Sequence, residues 1–325
     1  MNIFYEVLGG TILFAVPLLL VALGGMFSER SGIVNIALEG IMIIGSLTAC
    51  HMLRAMNLAG GWPLEHPQAA VALALLAAGC AGMLLSLLLA FASINLRADQ
   101  TIGGTALNMM APALAVVVTW SIQGQGQTTV FIPAWIRISV DSGMGSFIQT
   151  VFFKNLLLTT PISLVLLAIS VVLLYKTRFG LRLRACGEHP QAADSVGINV
   201  YAMRYAGVLI SGFLGGIGGF AFTAAAGSGF QSGVAGYGFL ALAVMIFGNW
   251  HPIRIFFAAM FFALFKVLPS YVTLIPFLPS FKGIKNSTYI YQMLPYIVTM
   301  VVLIFTSKSS KAPKAEGIPY DKGSR

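Results

Sequence analysis

The sequence predicts an all-α integral membrane protein, a polytopic bundle of about nine to ten transmembrane helices with broken or re-entrant segments. Two observations carry this prediction. The 325 residues are 58% hydrophobic and only 9% charged, and the mean hydropathy of +0.87 is too high for a water-soluble domain of this size. The apolar residues also form long continuous blocks, as membrane-spanning helices require, and not the short alternating strands of a β-barrel.

Nine blocks are long enough to be spans, and most charged residues lie between them. They cover residues 7–26, 33–52, 69–94, 102–120, 155–175, 204–226, 234–250, 253–272 and 289–306. We therefore expect one transmembrane domain over residues 1–306 and then a disordered, basic tail at residues 307–325, because Lys, Pro and Gly are typical of disorder. Since no Lys or Arg precedes the first block, we interpret it as a retained span and not as a signal peptide.

Positive charges mark one side of the predicted bundle. The formal net charge is +9, but this charge is concentrated in two segments and does not indicate a nucleic-acid partner. The segments contain Lys176, Arg178, Arg182, Arg184 and Arg204, and then Lys308, Lys311, Lys314, Lys322 and Arg325. Both segments should face the cytoplasm, and the loop of residues 121–154 should lie outside.

The side of the N-terminus depends on the number of spans. Nine crossings place the N-terminus outside, opposite the cytoplasmic tail. One half-helix, or a division of the block at residues 69–95 into two segments, would reverse that placement. The sequence leaves this end open.

Glycine positions predict close helix packing and a break. In "SGFLGGIGGF", Gly212 with Gly216 and Gly215 with Gly219 form two overlapping small-xxx-small pairs, which are typical of a face that packs closely on another helix. The stretch "AAAGSGFQSGVAGYG", residues 224–238, is too rich in Gly for one straight helix. It is either a re-entrant break or a plain connecting loop.

The external loop at residues 121–154 is Gln- and Gly-rich and then amphipathic. Phe131, Trp135 and Ile136 suit a position at the outer interface. The loop either caps the bundle or binds an external partner.

Three polar residues at membrane depth are candidates for function, because such groups are costly in lipid. Asn35 precedes Glu39 by one helical turn, so the two are predicted to share a face. Asn108 lies in another block, and Pro112 can kink its helix. Together the three residues either line a path for a polar, uncharged solute or join helices by hydrogen bonds. Lys266 raises the same question, although its long side chain can reach the interface.

The chain shows no pattern of a catalytic or metal site. The Gly-x-x-x-x-Gly-Lys-Ser/Thr phosphate loop is absent, so this polypeptide is not expected to hydrolyse ATP. Its four His and three Cys residues lack metal-ligand or triad spacing, and no disulfide is suggested. We expect no catalytic residues, no metal and no bound cofactor. The residues are His51, His66, His189 and His251, and Cys50, Cys80 and Cys186.

The stretch "LRACGEHPQAADSVGI", residues 183–198, predicts a short helix outside the membrane. Pro190 suits a first helical turn, Glu188 would favour the positive end of the helix dipole, and Gly197 can end the helix. So short a helix needs a partner for its stability. Alternatively, the stretch is an interfacial loop.

A longer part of this region, "FGLRLRACGEHPQAADSVGINV", resembles the cytoplasmic loop of permease subunits in bacterial ABC importers of the branched-chain amino acid, ribose and nucleoside class. Residues 24–46 and 236–253 resemble the subgroup that works with basic-membrane-protein lipoproteins and carries purine nucleosides. The positions that fill the loop pattern are Gly180, Arg184, Ala185, Gly187, Glu188, Pro190, Ala192, Ala193, Gly197 and Ile198.

The resemblance implies a transporter subunit and not an enzyme. It implies a second, different permease subunit, two ATP-binding domains that hold ATP and Mg²⁺, an external solute-binding lipoprotein, and a place in the bacterial cytoplasmic (inner) membrane with the C-terminus inside. It also implies that the loop at about residues 176–200 couples to the ATP-binding subunit. The coupling residues would be Arg184, Gly187, Glu188, Pro190, Ala192, Ala193 and Gly197.

The implied substrate is a purine nucleoside, with Phe230 or Tyr237 as candidates to stack on its base. A simple sugar such as ribose, or a branched-chain amino acid, is the alternative within the family, because amides, a carboxylate and aromatic walls suit all three. A secondary transporter driven by an ion gradient is the alternative from another class. It would need charged residues at the midplane and inverted repeats, whereas Glu39 is a lone candidate. A membrane-embedded enzyme would need a cluster of His, Asp or Glu residues.

Overall fold

The structure is a computed structural model that describes residues 3–138, 146–153, 156–271, 291, 293–306 and 311–323. These residues are mostly helical. The helices are α1 (Ile3–Arg30), α2 (Leu38–Ala59), α3 (Trp62–Glu65), α4 (Pro67–Ala90), α5 (Gln100–Gln123), α6 (Ser146–Ile148), α7 (Thr159–Lys176), α8 (Arg178–Glu188), α9 (Pro190–Ser195), α10 (Val200–Ala226), α11 (Tyr237–Phe247), α12 (Pro252–Tyr271) and α13 (Leu294–Thr306). Short π-helices continue α4 over Phe91–Asn95 and α6 over Gln149–Phe153, and a 3-10 turn at Ala134–Ile136 precedes β1 (Arg137–Ile138), which pairs antiparallel with β2 (Leu156–Leu157).

Within the described ranges, 7 helices are long and apolar enough to cross a membrane. They are α1, α2, α4 with its π-helical end, α5, α7, α10 and α12. This confirms the predicted all-α polytopic membrane protein. The α4 span is continuous from Pro67 to Asn95, so the block at residues 69–94 is one span and not two. The block at 289–306 lies partly outside the described residues.

The prediction of a full span at residues 234–250 is wrong. Helix α11 has 11 residues, and at about 1.5 Å per residue it reaches only about half of the ~30 Å hydrocarbon core. Residues 227–236, which precede it, are not helical. The Gly-rich stretch is therefore a break that leads into a half-helix, as one of the two alternatives for it predicted.

Helices α1 and α10 form the centre of the bundle, with most of their side chains buried. The two glycine pairs of α10 face different neighbours: Gly212 and Gly216 lie against α4, and Gly215 and Gly219 lie against α2. A Cβ atom at Gly216 would collide with the carbonyl oxygen of Ala78. Small residues thus let three helices approach one another closely.

One end of the bundle carries the basic residues of α8, and we call this end the basic side. The Arg30 end of α1 lies there, since a Cβ atom at Gly187 would collide with the carbonyl oxygen of Arg30. Ile3 begins the 28-residue helix α1 and lies at the opposite end of the bundle. This arrangement agrees with the alternative that places the N-terminus and the C-terminal tail on opposite sides.

Residues 311–323, the C-terminal strap, pack across the basic side. The Ala315 N–H donates a hydrogen bond to the Gly187 carbonyl (2.9 Å), and the Gly317 N–H donates one to the Gly32 carbonyl (3.2 Å). Tyr320 is buried. The prediction of a disordered tail is therefore wrong for these residues, because neighbouring helices satisfy the backbone of a segment whose composition alone suggests disorder.

The described part of the external loop caps the bundle. Val130 and Phe230 exchange two backbone hydrogen bonds of 2.9 Å, and the Trp135 indole N–H donates to the Asn57 side chain at 2.9 Å. Ile136 is buried and does not lie at the outer interface. The loop thus holds the residues that lead towards α11.

Candidate functional site

Glu39 lies at the N-terminus of the half-helix α11. Its Oε1 accepts a hydrogen bond from the Gly236 N–H (2.9 Å), and its Oε2 accepts one from the Gly238 N–H (2.7 Å). The first N–H groups of a helix have no partner within that helix, and a negative charge beside them is stabilising. The half-helix therefore explains how this carboxylate is accommodated at membrane depth.

Lys266 supplies a positive charge to the same place. Its Nζ lies 5.3 Å from the centroid of the Tyr237 ring, and it attracts the Glu39 carboxylate electrostatically. The long side chain of Lys266 could have reached the membrane interface, but it points towards α11. We call Glu39, Lys266, Asn108 and the first N–H groups of α11 the central polar cluster.

Asn108 fixes the start of α2 beside Glu39. Its Nδ2 donates a hydrogen bond to the Ile36 carbonyl (2.8 Å), and its Oδ1 accepts one from the Gly40 N–H (2.7 Å). These two partners lie on either side of Glu39 in the chain. Asn108 is half-buried. Its amide holds the start of α2, and the rest of the residue lies near the surface of the bundle.

The prediction that Asn35 and Glu39 share a helix face is wrong. Helix α2 begins at Leu38, and Asn35 lies in the preceding segment, where the chain reverses after Gly32 with a φ of +96°. Asn35 is fully buried, and its Nδ2 donates a hydrogen bond to the Ser211 Oγ at 2.8 Å. It therefore joins the segment before α2 to α10 and does not face an open path.

The aromatic residues proposed to stack on a base are not accessible in this structure. Phe230 and Tyr237 are both fully buried, and Tyr237 packs against Phe222 at a centroid distance of 4.3 Å. Phe239, in the first turn of α11, is 50% exposed, and Tyr296 of α13 is 48% exposed. Sequence reasoning missed both, because nothing distinguishes them among 23 Phe and 10 Tyr residues.

The coupling segment, residues 176–200, contains two helices on the basic side. At the start of α8, the Thr177 Oγ1 accepts a hydrogen bond from the Gly180 N–H (3.2 Å). Pro190 begins α9, and Gly197, with a φ of +83°, follows its end. The sequence predicted only α9. The acidic character of Glu188 suggested a position at the N-terminus of a helix. Glu188 is instead the last residue of α8.

One face of the coupling segment is held by the bundle and the other is exposed within the described part of the chain. Ala193 and Cys186 pack in a small core with Tyr320. Burial raises the pKa of the Cys186 thiol to about 11, so this cysteine stays neutral and acts as a small apolar residue. Ala192 is exposed, and Val196 is 74% exposed. This face therefore leaves an apolar side chain available to a partner chain.

Arg184 links the coupling segment to α7. Its guanidinium lies 4.9 Å from the centroid of the Tyr175 ring, a distance at which a cation and an aromatic face attract. Tyr175 in turn stacks on His251 at 5.1 Å. Arg184 thus connects α8 with α7 and, through the stacked rings, with the turn before α12.

Glu29 and Glu316 attach the strap to α1. Glu29 is buried and accepts a hydrogen bond from the Trp250 indole N–H. The carboxyl group of Glu316 lies close enough to that of Glu29 to interact with it, and burial raises the pKa of Glu316 above its ordinary value of 4.5. Two ionised carboxyl groups repel each other, and a proton on one of them removes that repulsion. The contact between strap and α1 is therefore stronger when one of the two carboxyl groups is protonated.

Comparison with known proteins identifies the family. A family model described as the permease component of branched-chain amino acid transport systems matches residues 7–305. The chain belongs to this permease family. The family assignment confirms the resemblance seen in the coupling segment.

Two relatives resemble this permease along almost its whole length. A guanosine ABC transporter permease of Bacillus subtilis is 43% identical over 97% of this chain and 96% of its own. A nucleoside ABC transporter permease of Lactococcus lactis is 39% identical over 99% of this chain and 98% of its own. No solved structure gives a significant match to this permease. Because the relatives are named as transporter subunits, the prediction that this permease is not an enzyme is confirmed.

Proposed function

We propose that this permease is the transmembrane pore subunit of an ATP-driven importer of purine nucleosides. The observation that carries the proposal is the full-length similarity to permeases named for guanosine and for nucleosides. The central polar cluster supports it. A riboside is polar and uncharged, and its hydroxyl and base groups need the carboxylate, amide and aromatic partners that Glu39, Asn108 and Phe239 provide.

The proposed importer contains other chains. They are a second, different permease subunit, two ATP-binding domains that hold ATP and Mg²⁺, and an external solute-binding lipoprotein. We place the chain in the bacterial cytoplasmic membrane with its basic side and its C-terminus in the cytoplasm, because positive residues favour that side. Membrane lipid surrounds it, and no nucleic acid takes part.

The coupling segment transmits the movement of the ATP-binding domain in this proposal. The exposed face around Ala192 and Val196 contacts that domain, while Pro190 and Gly197 bound a short helix that moves as one body. The buried face of the segment moves with this helix and displaces the end of α1, because Gly187 packs directly on that end. Arg184 holds the α7 side of the segment, Glu188 attracts Arg30 at the end of α1, and Ala193 packs in the small core.

The half-helix is the place where this movement opens the path. A broken helix whose N-terminus lies at membrane depth is a typical substrate site of transporters. Glu39 and Asn108 line the path in this proposal, and Asn35 supports the segment between them and α10. Closure of the ATP-binding domains shifts the population between outward and inward access.

Uptake of labelled guanosine tests the proposal. Cells with and without this chain are compared, with excess unlabelled inosine, ribose or leucine as competitor and with ATP depletion as a control. We expect uptake to require the chain and ATP, and to be suppressed by inosine alone. Suppression by ribose or leucine would favour the alternatives within the family, and uptake that survives ATP depletion but collapses with the proton gradient would favour a secondary transporter.

A further inference from the structure

A positively charged cavity opens on the basic side, and we call it the basic cavity. It has a volume of about 480 Å³. Four cations face one carboxylate across it. The charged and titratable residues that line it are Arg30, Glu188, His251, Arg254, Lys311 and Lys314.

The positive charge of the basic cavity is only partly compensated. Arg30 donates two hydrogen bonds to the Trp250 carbonyl (3.1 and 3.3 Å) and is attracted by Glu188. Within the described ranges, no carboxylate forms an ion pair with Arg254, Lys311 or Lys314, whose side chains are exposed. An anion in the cavity would supply the missing charge.

Neutral hydrogen-bond donors also converge on the cavity. Helix α12 begins at Pro252, so the N–H groups of Ile253 and Arg254 lack partners within the helix, and the positive end of the helix dipole points into this region. The Nδ1 of His251 is buried and has no hydrogen-bond partner in the part of the chain that the structure describes. Burial lowers the pKa of His251, and the charges of Arg254 and Arg30 lower it further.

An apolar stripe leads from the cavity along α12 into the membrane. Arg254, Phe257 and Phe261 follow one another at the spacing of a single helix face. The two rings are 65% and 42% exposed. A ligand with a phosphate group in the cavity and acyl chains along this stripe would match both the charge and the apolar surface.

We propose that the basic cavity binds the phosphate headgroup of an anionic phospholipid whose acyl chains lie along the Phe257 and Phe261 face of α12. Clusters of cations at the cytoplasmic ends of spans are typical sites for such headgroups. The phosphate bridges the cations of α12 and the C-terminal strap to Arg30 at the end of α1, on which Gly187 of α8 packs. It therefore stabilises the coupling segment against the bundle, whichever solute the importer carries.

Binding to the purified full-length chain in detergent tests this proposal. Native mass spectrometry and thermal unfolding are measured with phosphatidylglycerol, phosphatidylcholine, inorganic phosphate and glycerol 3-phosphate. We expect selective binding of phosphatidylglycerol, and a loss of roughly 100-fold in its affinity in the combined variant Arg254→Gln, Lys311→Gln, Lys314→Gln. The matched control, Lys176→Gln, Arg178→Gln, Arg182→Gln, removes three exposed cations of the same side outside the cavity and should keep the affinity.

A second variant separates the headgroup from the acyl chains. Phe257→Ala removes part of the acyl-chain surface and leaves every charge in place. It should therefore weaken the binding of phosphatidylglycerol and leave any weak binding of glycerol 3-phosphate unchanged. Equal affinity for phosphatidylglycerol and phosphatidylcholine, or equal losses in the two triple variants, would overturn the proposal. Inorganic phosphate that protects as well as the lipid at the same concentration would also overturn it, because the site would then bind free phosphate.

Discussion

Glu39 is the residue on which the proposed path depends most. Its carboxylate accepts hydrogen bonds from two N–H groups of α11, and hydrogen bonds to a charged group contribute about 1.5–3 kcal/mol each. In Glu39→Gln an NH2 group replaces one carboxylate oxygen, and it cannot accept a hydrogen bond from the N–H group that it faces. We expect guanosine uptake to fall at least about tenfold, with the chain still present in the membrane at a similar level by immunoblotting.

The control for this variant is Glu65→Gln, which changes an exposed carboxylate in α3. It should leave uptake as it is in the wild type. If Glu39→Gln also keeps normal uptake kinetics, Glu39 does not line the path.

Asn108 is expected to act on stability as well as on the path. In Asn108→Ala the Ile36 carbonyl and the Gly40 N–H both lose their partner, which should cost up to about 3 kcal/mol for each of these partly buried groups. Thermal unfolding in detergent measures this loss. Thr105→Ala, an exposed change in the preceding turn of α5, serves as the control. A variant at Asn108 as stable as this control would contradict the role assigned to its amide.

At the scale of elements, the packing of α10 makes a further prediction. In Gly216→Ala the new methyl group would collide with the carbonyl oxygen of Ala78, and overpacking of this kind costs typically about 1–3 kcal/mol. Gly103→Ala is the matched control, since its nearest neighbour outside the local backbone is the Leu89 Cδ1 at 3.6 Å. We expect a lower unfolding temperature only for Gly216→Ala. Equal unfolding temperatures would mean that α10 and α4 do not pack so closely.

The C-terminal strap should respond to pH through Glu316. Its pKa is raised in the folded protein, so the docked strap binds more protons than the released one. Docking is therefore strongest at low pH and weakens as the pH rises from 4.5 through the raised pKa. Glu316→Gln, which imitates the protonated group, should weaken this dependence, because only Glu29 of the pair can then still titrate.

Trypsin cleavage after Lys314 measures strap release. The rate for the wild type, divided by the rate for Glu316→Gln at each pH, cancels the pH dependence of the protease. We expect this ratio to increase with pH. A ratio that stays constant would show that protonation of this carboxyl pair does not hold the strap.

The sequence predicted the elements unevenly, for physical reasons. Long apolar blocks identify spans because each one must satisfy its own backbone within lipid, and this logic located α1, α4 and α10. It failed for α11, since the length of an apolar run does not reveal how much of it is helical. It failed for the strap, because partners far along the chain supply its hydrogen bonds.

At the scale of the whole molecule, the family could be recognised from the coupling segment, but the central polar cluster could not be assembled. Glu39 was a candidate because a carboxylate within a span is costly. Its partners Gly236 and Gly238 lie almost 200 residues away, at separations of 197 and 199. No local pattern signals such a contact. Asn35 was predicted to share a helix face with Glu39, but a turn at Gly32 delays the start of α2, and the sequence did not reveal this turn.

In the proposed importer, ATP-binding domains open the path at Glu39 by moving the coupling segment. The most direct test measures guanosine uptake and ATP hydrolysis in the same proteoliposomes, which hold this chain with its partner permease, ATP-binding subunits and solute-binding lipoprotein. The exposed face of α9 is altered in Val196→Asp, and Glu39→Gln is run beside it. We predict ATP-dependent uptake in the wild type, loss of both uptake and substrate-stimulated hydrolysis in Val196→Asp, and loss of uptake with retained hydrolysis in Glu39→Gln. Uptake that proceeds without ATP, or that Val196→Asp leaves unchanged, would show that this coupling does not operate.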